Sequence, residues 1–285
     1  MCWVSRSQSS QGGCGCWPSL FSCLMAKKAP IDACKLCLRT RELRLSHIVS
    51  DLFWKGSGIF KSLKYVNLEP LIGTGAPIRN QQGGFKMHLL CDECEGRLNK
   101  WETYIRPLFF GDASPFIHPP TTPAFIAGSI DYKMFKLLTM SVLWRMAISG
   151  HPYYANVRIG ERKREQLRKL LLNETPGNPL FYGCAFSVLV NANDGTTLRG
   201  MLSPPIRLAS PVNGNPSVSY GFIIAGVHWH MFIGEAVCNR TMQNFFIKPN
   251  GDLRVRIAHR WDFPYLKPLF DEAANRVFPS ASLRT

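Results

Sequence analysis

Cys34-Lys35-Leu36-Cys37 and Cys91-Asp92-Glu93-Cys94 are two Cys-x-x-Cys pairs, and Leu43-Arg44-Leu45-Ser46-His47-Ile48 lies between them. Two thiolates on a tight turn grip one side of a tetrahedral Zn²⁺, and a second pair completes the shell. Cys34, Cys37, Cys91 and Cys94 therefore read as one structural zinc site. A closed shell leaves no position for substrate, so any chemistry falls to residues nearby, with His47 the first of them. Disulfides are the competing reading of a chain with 10 cysteines. The matched spacing favours metal in a reducing compartment, which makes the cytoplasm the expected location. Cys184 and Cys238 sit in apolar, strand-like segments and read as inert core.

Outward from the cysteines, Glu42 to Val49 alternates. Leu43, Leu45, His47 and Val49 fall on one strand face, and Glu42, Arg44, Ser46 and Ile48 on the other. Asp51 to Asn80 reads as a glycine-bearing insertion with Lys55, Lys61 and Lys64. Phe85 to Leu90 reads as a second strand, and Glu95 to Ile105 as a helix that buries Leu98, Trp101 and Ile105. Residues 25–110 would form the zinc domain and 111–126, rich in proline and small residues, a linker. The stretch 127–175 reads as helical. Asp131 to Ile148 is apolar around most of its circumference, and Glu161 to Asn173 is amphipathic with Leu167, Leu170 and Leu171 on its stripe. Strand-like runs fill 176–285: Phe181 to Val190, Thr197 to Leu202, Val218 to Val227, Trp229 to Ile233 and Phe245 to Ile247. Asn193-Asp194-Gly195 and Asn250-Gly251-Asp252 mark turns. The expected class is α+β, with an N-terminal ββα zinc domain, a helical middle and a C-terminal antiparallel β-rich domain.

The net charge is +15 and the pI about 9.6, which suits an acidic partner such as DNA or RNA. Arg162, Lys163, Arg164, Arg168 and Lys169 make the Glu161–Asn173 helix basic, as a nucleic-acid contact or as a merely solvated face. No apolar run approaches the roughly 18 to 20 residues that span a bilayer, so no membrane partner is expected. Residues 1–24 carry no acid, one basic residue (Arg6) and four of the cysteines, without the pattern of a signal peptide. Met25-Ala26-Lys27-Lys28 reads like a natural start, so residues 1–24 are expected to be an upstream extension or a disordered tail, or else a looser metal-binding tract. His228 and His230 share a strand face opposite Val227, Trp229 and Met231, but no cysteine or carboxylate of clear spacing completes a metal shell there.

The order of Cys-x-x-Cys, strand ending in Ser46-His47-Ile48, second strand, Leu89-Leu90-Cys91-x-x-Cys94 and helix resembles the HNH endonuclease family in its treble-clef, cysteine-bearing form. The resemblance covers about residues 31–105. It implies a β-hairpin and helix clamped by zinc, with His47 as the base that activates water. Glu95 falls where that family has His or Asn just after the second cysteine pair. Glu95 and Asn99 are four apart on one helix face, and their oxygens suit Mg²⁺ or Mn²⁺. Ser46 stands where the family often has an acid, and the middle asparagine has no match, Lys86 or Met87 falling there. The competing readings make His47 a core histidine beside Leu43 and Leu45 and Glu95 a helix-start acid, while Glu102 reads as surface. The functional expectation is a metal-dependent endonuclease that hydrolyses phosphodiester bonds. Its alternative is a non-catalytic zinc module that binds nucleic acid or protein, and a third reading makes the β-rich half a sensor for a protein or small-molecule partner.

Overall fold

A computed structural model describes residues 29–56, 84–212, 215–236 and 238–268. The extension expected at 1–24 and most of the insertion expected over Asp51–Asn80 lie outside these residues. The chain is α+β, as its hydrophobic periods imply. Strands β1 (Ile31–Ala33), β2 (Thr40–His47) and β3 (Lys86–Cys91) form an antiparallel sheet in that order. Between β2 and β3 runs the short helix α1 (Asp51–Gly56), and β3 leads straight into α2 (Asp92–Phe110). The first turn of α2 carries Asp92, Glu93 and Glu95, where the helix dipole favours acids. Its buried stripe, Leu98, Trp101, Ile105 and Phe109, recurs at three- and four-residue steps.

The alternation expected of β2 holds only to Arg44. A register shift between Arg44 and Leu45 turns the rest of the strand over: Leu45 is 55% exposed and Ser46 is fully buried. One irregular residue in a period-two strand exchanges the faces, so Ser46 takes the inward position that the sequence assigns to its neighbours.

Strand β4 (Ala124–Ala127) forms at the end of the proline-rich stretch and pairs with β9 (Leu253–His259). Helix α3 (Tyr132–Ile148) is capped by Asp131, whose carboxylate accepts the Met134 amide at 2.9 Å, and is buried on all sides from Phe135 to Met146. Helix α4 (Glu161–Leu172) buries Leu167 and Leu171. The second sheet has the order β4-β9-β5-β8-β7-β6, with β5 Cys184–Val190, β6 Ile206–Val212, β7 Asn215–Ile224 and β8 Val227–Phe232. This sheet is mixed rather than purely antiparallel, because β9 returns to lie parallel to β5. Thr197–Leu202 contributes only isolated bridges, and Phe245–Ile247 follows the short helix α5 (Arg240–Gln243) as loop. Their apolar residues pack without pairing their backbones into a ladder.

The main core is continuous from the cysteines to the second sheet. Phe53 of α1 meets Phe109 edge-on at 5.3 Å and Trp229 of β8 at 5.1 Å, and Phe186 of β5 meets Trp229 at 4.7 Å. No described helix is long and apolar enough to cross a membrane.

Candidate functional site

The hairpin turn after β1 presents Cys34 and Cys37, while β3 ends on Cys91 and the first turn of α2 carries Cys94. Backbone bonds lock this join: the Cys34 amide donates to Arg39 O at 3.0 Å and the Lys35 amide to Leu89 O at 2.9 Å. The four sulfurs lie within 4.8 Å of one another, with Cys37 Sγ and Cys91 Sγ 3.9 Å apart. A zinc–sulfur bond of ~2.3 Å implies tetrahedral edges of roughly 3.8 Å, so the quartet fits one ion such as zinc. A hydrogen bond from Cys94, outweighing burial and helped by nearby backbone amides, holds the Cys34 thiol down to about 4. The same contact, with burial, pushes Cys94 up. Cys34 is therefore poised as a thiolate, the form that binds metal.

His47 ends β2, and its half-buried imidazole turns toward α1. Nε2 lies 3.3 Å from Asp51 Oδ1, and Lys55 pairs with the other Asp51 oxygen. Nε2 is buried without a well-aligned hydrogen bond, so the Asp51 contact is an ion-pair distance awaiting alignment. An Nε2–H tautomer facing Asp51 leaves the Nδ1 lone pair free to take a proton. Burial lowers the His47 pKa, Asp51 opposes this, and Lys86, its partner across the β2–β3 ladder, reinforces it. Burial therefore favours the neutral imidazole.

Behind His47 lies a buried ionic knot. Arg145 of α3, only 1% exposed, donates from Nη1 to the His47 carbonyl at 2.9 Å and from Nη2 to Glu102 Oε1 at 2.9 Å and Ser141 Oγ at 3.4 Å. Glu102, read from the sequence as surface, is a half-buried partner with 16% of its side chain exposed. Glu95 is tied in by Ser46, whose hydroxyl donates to Oε2 at 2.6 Å. Burial raises the Glu95 pKa, while the Ser46 bond and Arg145 act to lower it. Asn99 is exposed on the same helix. The structure therefore gives His47 to Asp51, gives Glu95 to Ser46, and leaves Asn99 at the surface.

Asp51, Ser46, Glu102 and Arg145 were not singled out as site residues by sequence. Two signals were present. Asp51 follows His47 by four residues, and Arg145 is a lone charge near the end of an apolar helix, where a buried guanidinium demands partners.

The basic face of α4 divides by use. Arg168 donates to Leu36 O at 2.6 Å and grips Glu165 through two bonds of 2.7 Å, so it fastens the cysteine turn to α4. Lys163 reaches the Ile233 carbonyl at 3.4 Å. Arg162 and Lys169 are exposed, Lys169 within 3.8 Å of Glu165, and Arg164 is partly exposed. No protein-family model, curated protein or solved structure matches the chain.

Proposed function

We propose that this protein is a metal-dependent endonuclease of the HNH type that hydrolyses phosphodiester bonds in DNA or RNA. The observation that carries the reading is the His47–Asp51 pair at the end of the strand that packs against the cysteine-clamped hairpin and helix. Zinc held by the four cysteines supplies folding energy and fixes β3 against α2. His47, whose neutral form burial favours, accepts a proton from water at Nδ1 as the water oxygen bonds to phosphorus and the bond from phosphorus to the leaving sugar oxygen breaks, that oxygen taking a proton from solvent; Asp51 stabilises the imidazolium until it returns its proton to solvent. Glu95 through its free oxygen and Asn99 would hold the Mg²⁺ or Mn²⁺ that bears charge developing on the phosphate and leaving oxygen. Among the described residues the cysteine quartet is the one cluster of three or more metal-ligand side chains. Waters and substrate phosphate would therefore fill most of that ion's shell, the usual habit of Mg²⁺. The net charge of +15 suits a polyanionic substrate, with Arg162 and Lys169 as the freest cations of α4.

A second reading, a non-catalytic zinc module that binds nucleic acid or protein, draws on the Ser46–Glu95 and Arg145–Glu102 bonds, which commit both carboxylates to the fold. The deciding experiment incubates the full chain with supercoiled DNA and single-stranded RNA, with Mg²⁺ or Mn²⁺ and then with EDTA at a dose that leaves bound zinc unchanged. The expected result is metal-dependent cleavage that His47→Ala reduces by about 10²- to 10⁴-fold at unchanged zinc content and nucleic-acid affinity. Binding without cleavage by the wild type would establish the second reading instead.

A further inference from the structure

The outer face of the second sheet carries a cavity of about 370 Å³, remote in sequence from the cysteines and unused by the proposed hydrolysis. Side chains alternate along each strand, so β8 sends Trp229 into the core and His228 and His230 outward. The ladder sets Ser187 opposite His228 on one side and Arg256 on the other, which puts a guanidinium, a hydroxyl and an imidazole in one row. Ala185 lies opposite His230, and its small side chain leaves the floor open. Phe245 and Phe263 supply aromatic wall.

The imidazoles are fixed rather than available. His228 Nε2 pairs with the Tyr265 hydroxyl, and its ring stacks on Phe263 at 4.0 Å; His230 Nε2 pairs with Ser219 Oγ at 2.8 Å. Tyr265 lies over Gly221, where a Cβ would overlap its hydroxyl, so the absence of a side chain there lets Tyr265 reach His228. Among the lining residues, Ser187 and Arg256 keep hydrogen-bonding capacity. The hydroxyl of Ser187, a residue 8% exposed, makes no hydrogen bond among the described residues. Arg256 gives one Nη2 bond to Asp262 at 2.9 Å and keeps its other donors.

We propose that this cavity binds a small aromatic carboxylate, the carboxylate held by Arg256 and Ser187 and the ring against Phe245 and Phe263. The Arg256 donors left over from the Asp262 pair, on a planar fork, suit a carboxylate oxygen. The largely apolar lining suits a ring, and the volume lies within the range of small-molecule pockets, roughly 300 to 1,000 Å³. A metal ion is disfavoured by the Arg256 guanidinium and by the engagement of both histidine Nε2 atoms with hydroxyls. Burial lowers the pKa of both histidines, which adds no second cation. The proposal is independent of the nuclease reading.

The test is calorimetric titration of the full chain with benzoate, beside benzyl alcohol, which keeps the ring without the charge, and acetate, which keeps the charge without the ring. Benzoate is expected to bind at least about tenfold more tightly than either. Arg256→Met should weaken benzoate by about tenfold or more. Because Arg256 also pairs with Asp262, Ala185→Leu serves as a second variant that keeps the charge and fills the floor; it too should abolish binding, with the thermal melt of each variant confirming the fold. No benzoate binding at about 10 mM, equal binding of acetate, or binding unchanged by both variants would overturn the proposal.

Discussion

Removing the Arg145 guanidinium tests whether the knot behind His47 is held by charge pairing. In Arg145→Met the apolar stem is kept and three bonds disappear: those to the His47 carbonyl, Glu102 and Ser141. Removing one partner of a buried pair costs about 3–5 kcal/mol, because the surviving charge is stranded. Glu102 retains 16% exposure and can draw in water, which places the expected loss near the lower end, about 3 kcal/mol. Glu102→Gln keeps a carbonyl acceptor for Nη2 but leaves the guanidinium, 1% exposed, without its paired charge, and should cost about 2–3 kcal/mol. The double variant strands no carboxylate, so it should be more stable than the sum of the two losses by about 1.5 kcal/mol or more. Urea unfolding of all four proteins at pH 7 gives the cycle. Additive losses, or a change below about 0.5 kcal/mol in Arg145→Met, would refute the argument that the pair is energetically coupled.

Three further outcomes follow from other contacts. Cys91→Ser should abolish the metal content, expected at about one zinc per chain by mass spectrometry, and render the N-terminal half protease-sensitive; retained stoichiometric zinc would show that the quartet is not the site. Burial holds His230 at about 4 against an ordinary 6.5, so the unfolded chain takes up its proton first. The stability this histidine contributes is therefore complete above about pH 6.5 and falls as the pH drops toward 4, by about 2 kcal/mol between pH 7 and 5. His230→Gln should flatten the pH dependence by that amount in denaturant titrations, and an unchanged slope would contradict the assignment. Gly84→Ala would drive a Cβ into the Trp54 indole of α1. It should cost about 1–3 kcal/mol by overpacking and, by shifting Asp51, depress cleavage, read by the same denaturation and nicking assays.

Long periodic segments were legible from sequence because burial imposes their period. The stripes of α2 and α4, the all-round burial of α3 and the metal quartet all follow from spacing. The face of Ser46 was not legible, since a bulge is decided by how β2 must meet β3 rather than by the residues that bulge. Neither was the parallel return of β9, which pairs strands far apart in the chain. The candidate site was half visible for the same reason. His47 stands out as a type of residue in a motif, whereas Arg145 reaches it from a helix whose sequence carries no trace of that proximity.

The clasp on Phe53 bears on the order of events during synthesis. A helix of six residues has too few internal bonds to persist alone. Here Phe53 of α1 is held in a ring cluster with Phe109, Phe110 and Trp229, and Phe109 and Trp229 also stack on each other at 6.0 Å. The cysteines can gather an ion as soon as α2 leaves the ribosome, yet the aromatic seat beneath Asp51 is complete only after β8 has emerged. Nascent chains arrested before Trp229 should therefore capture metal while His47 lacks its fixed carboxylate. Chains arrested well past β9 should have both, so the pairing of His47 with Asp51 would be withheld until most of the polypeptide has been made.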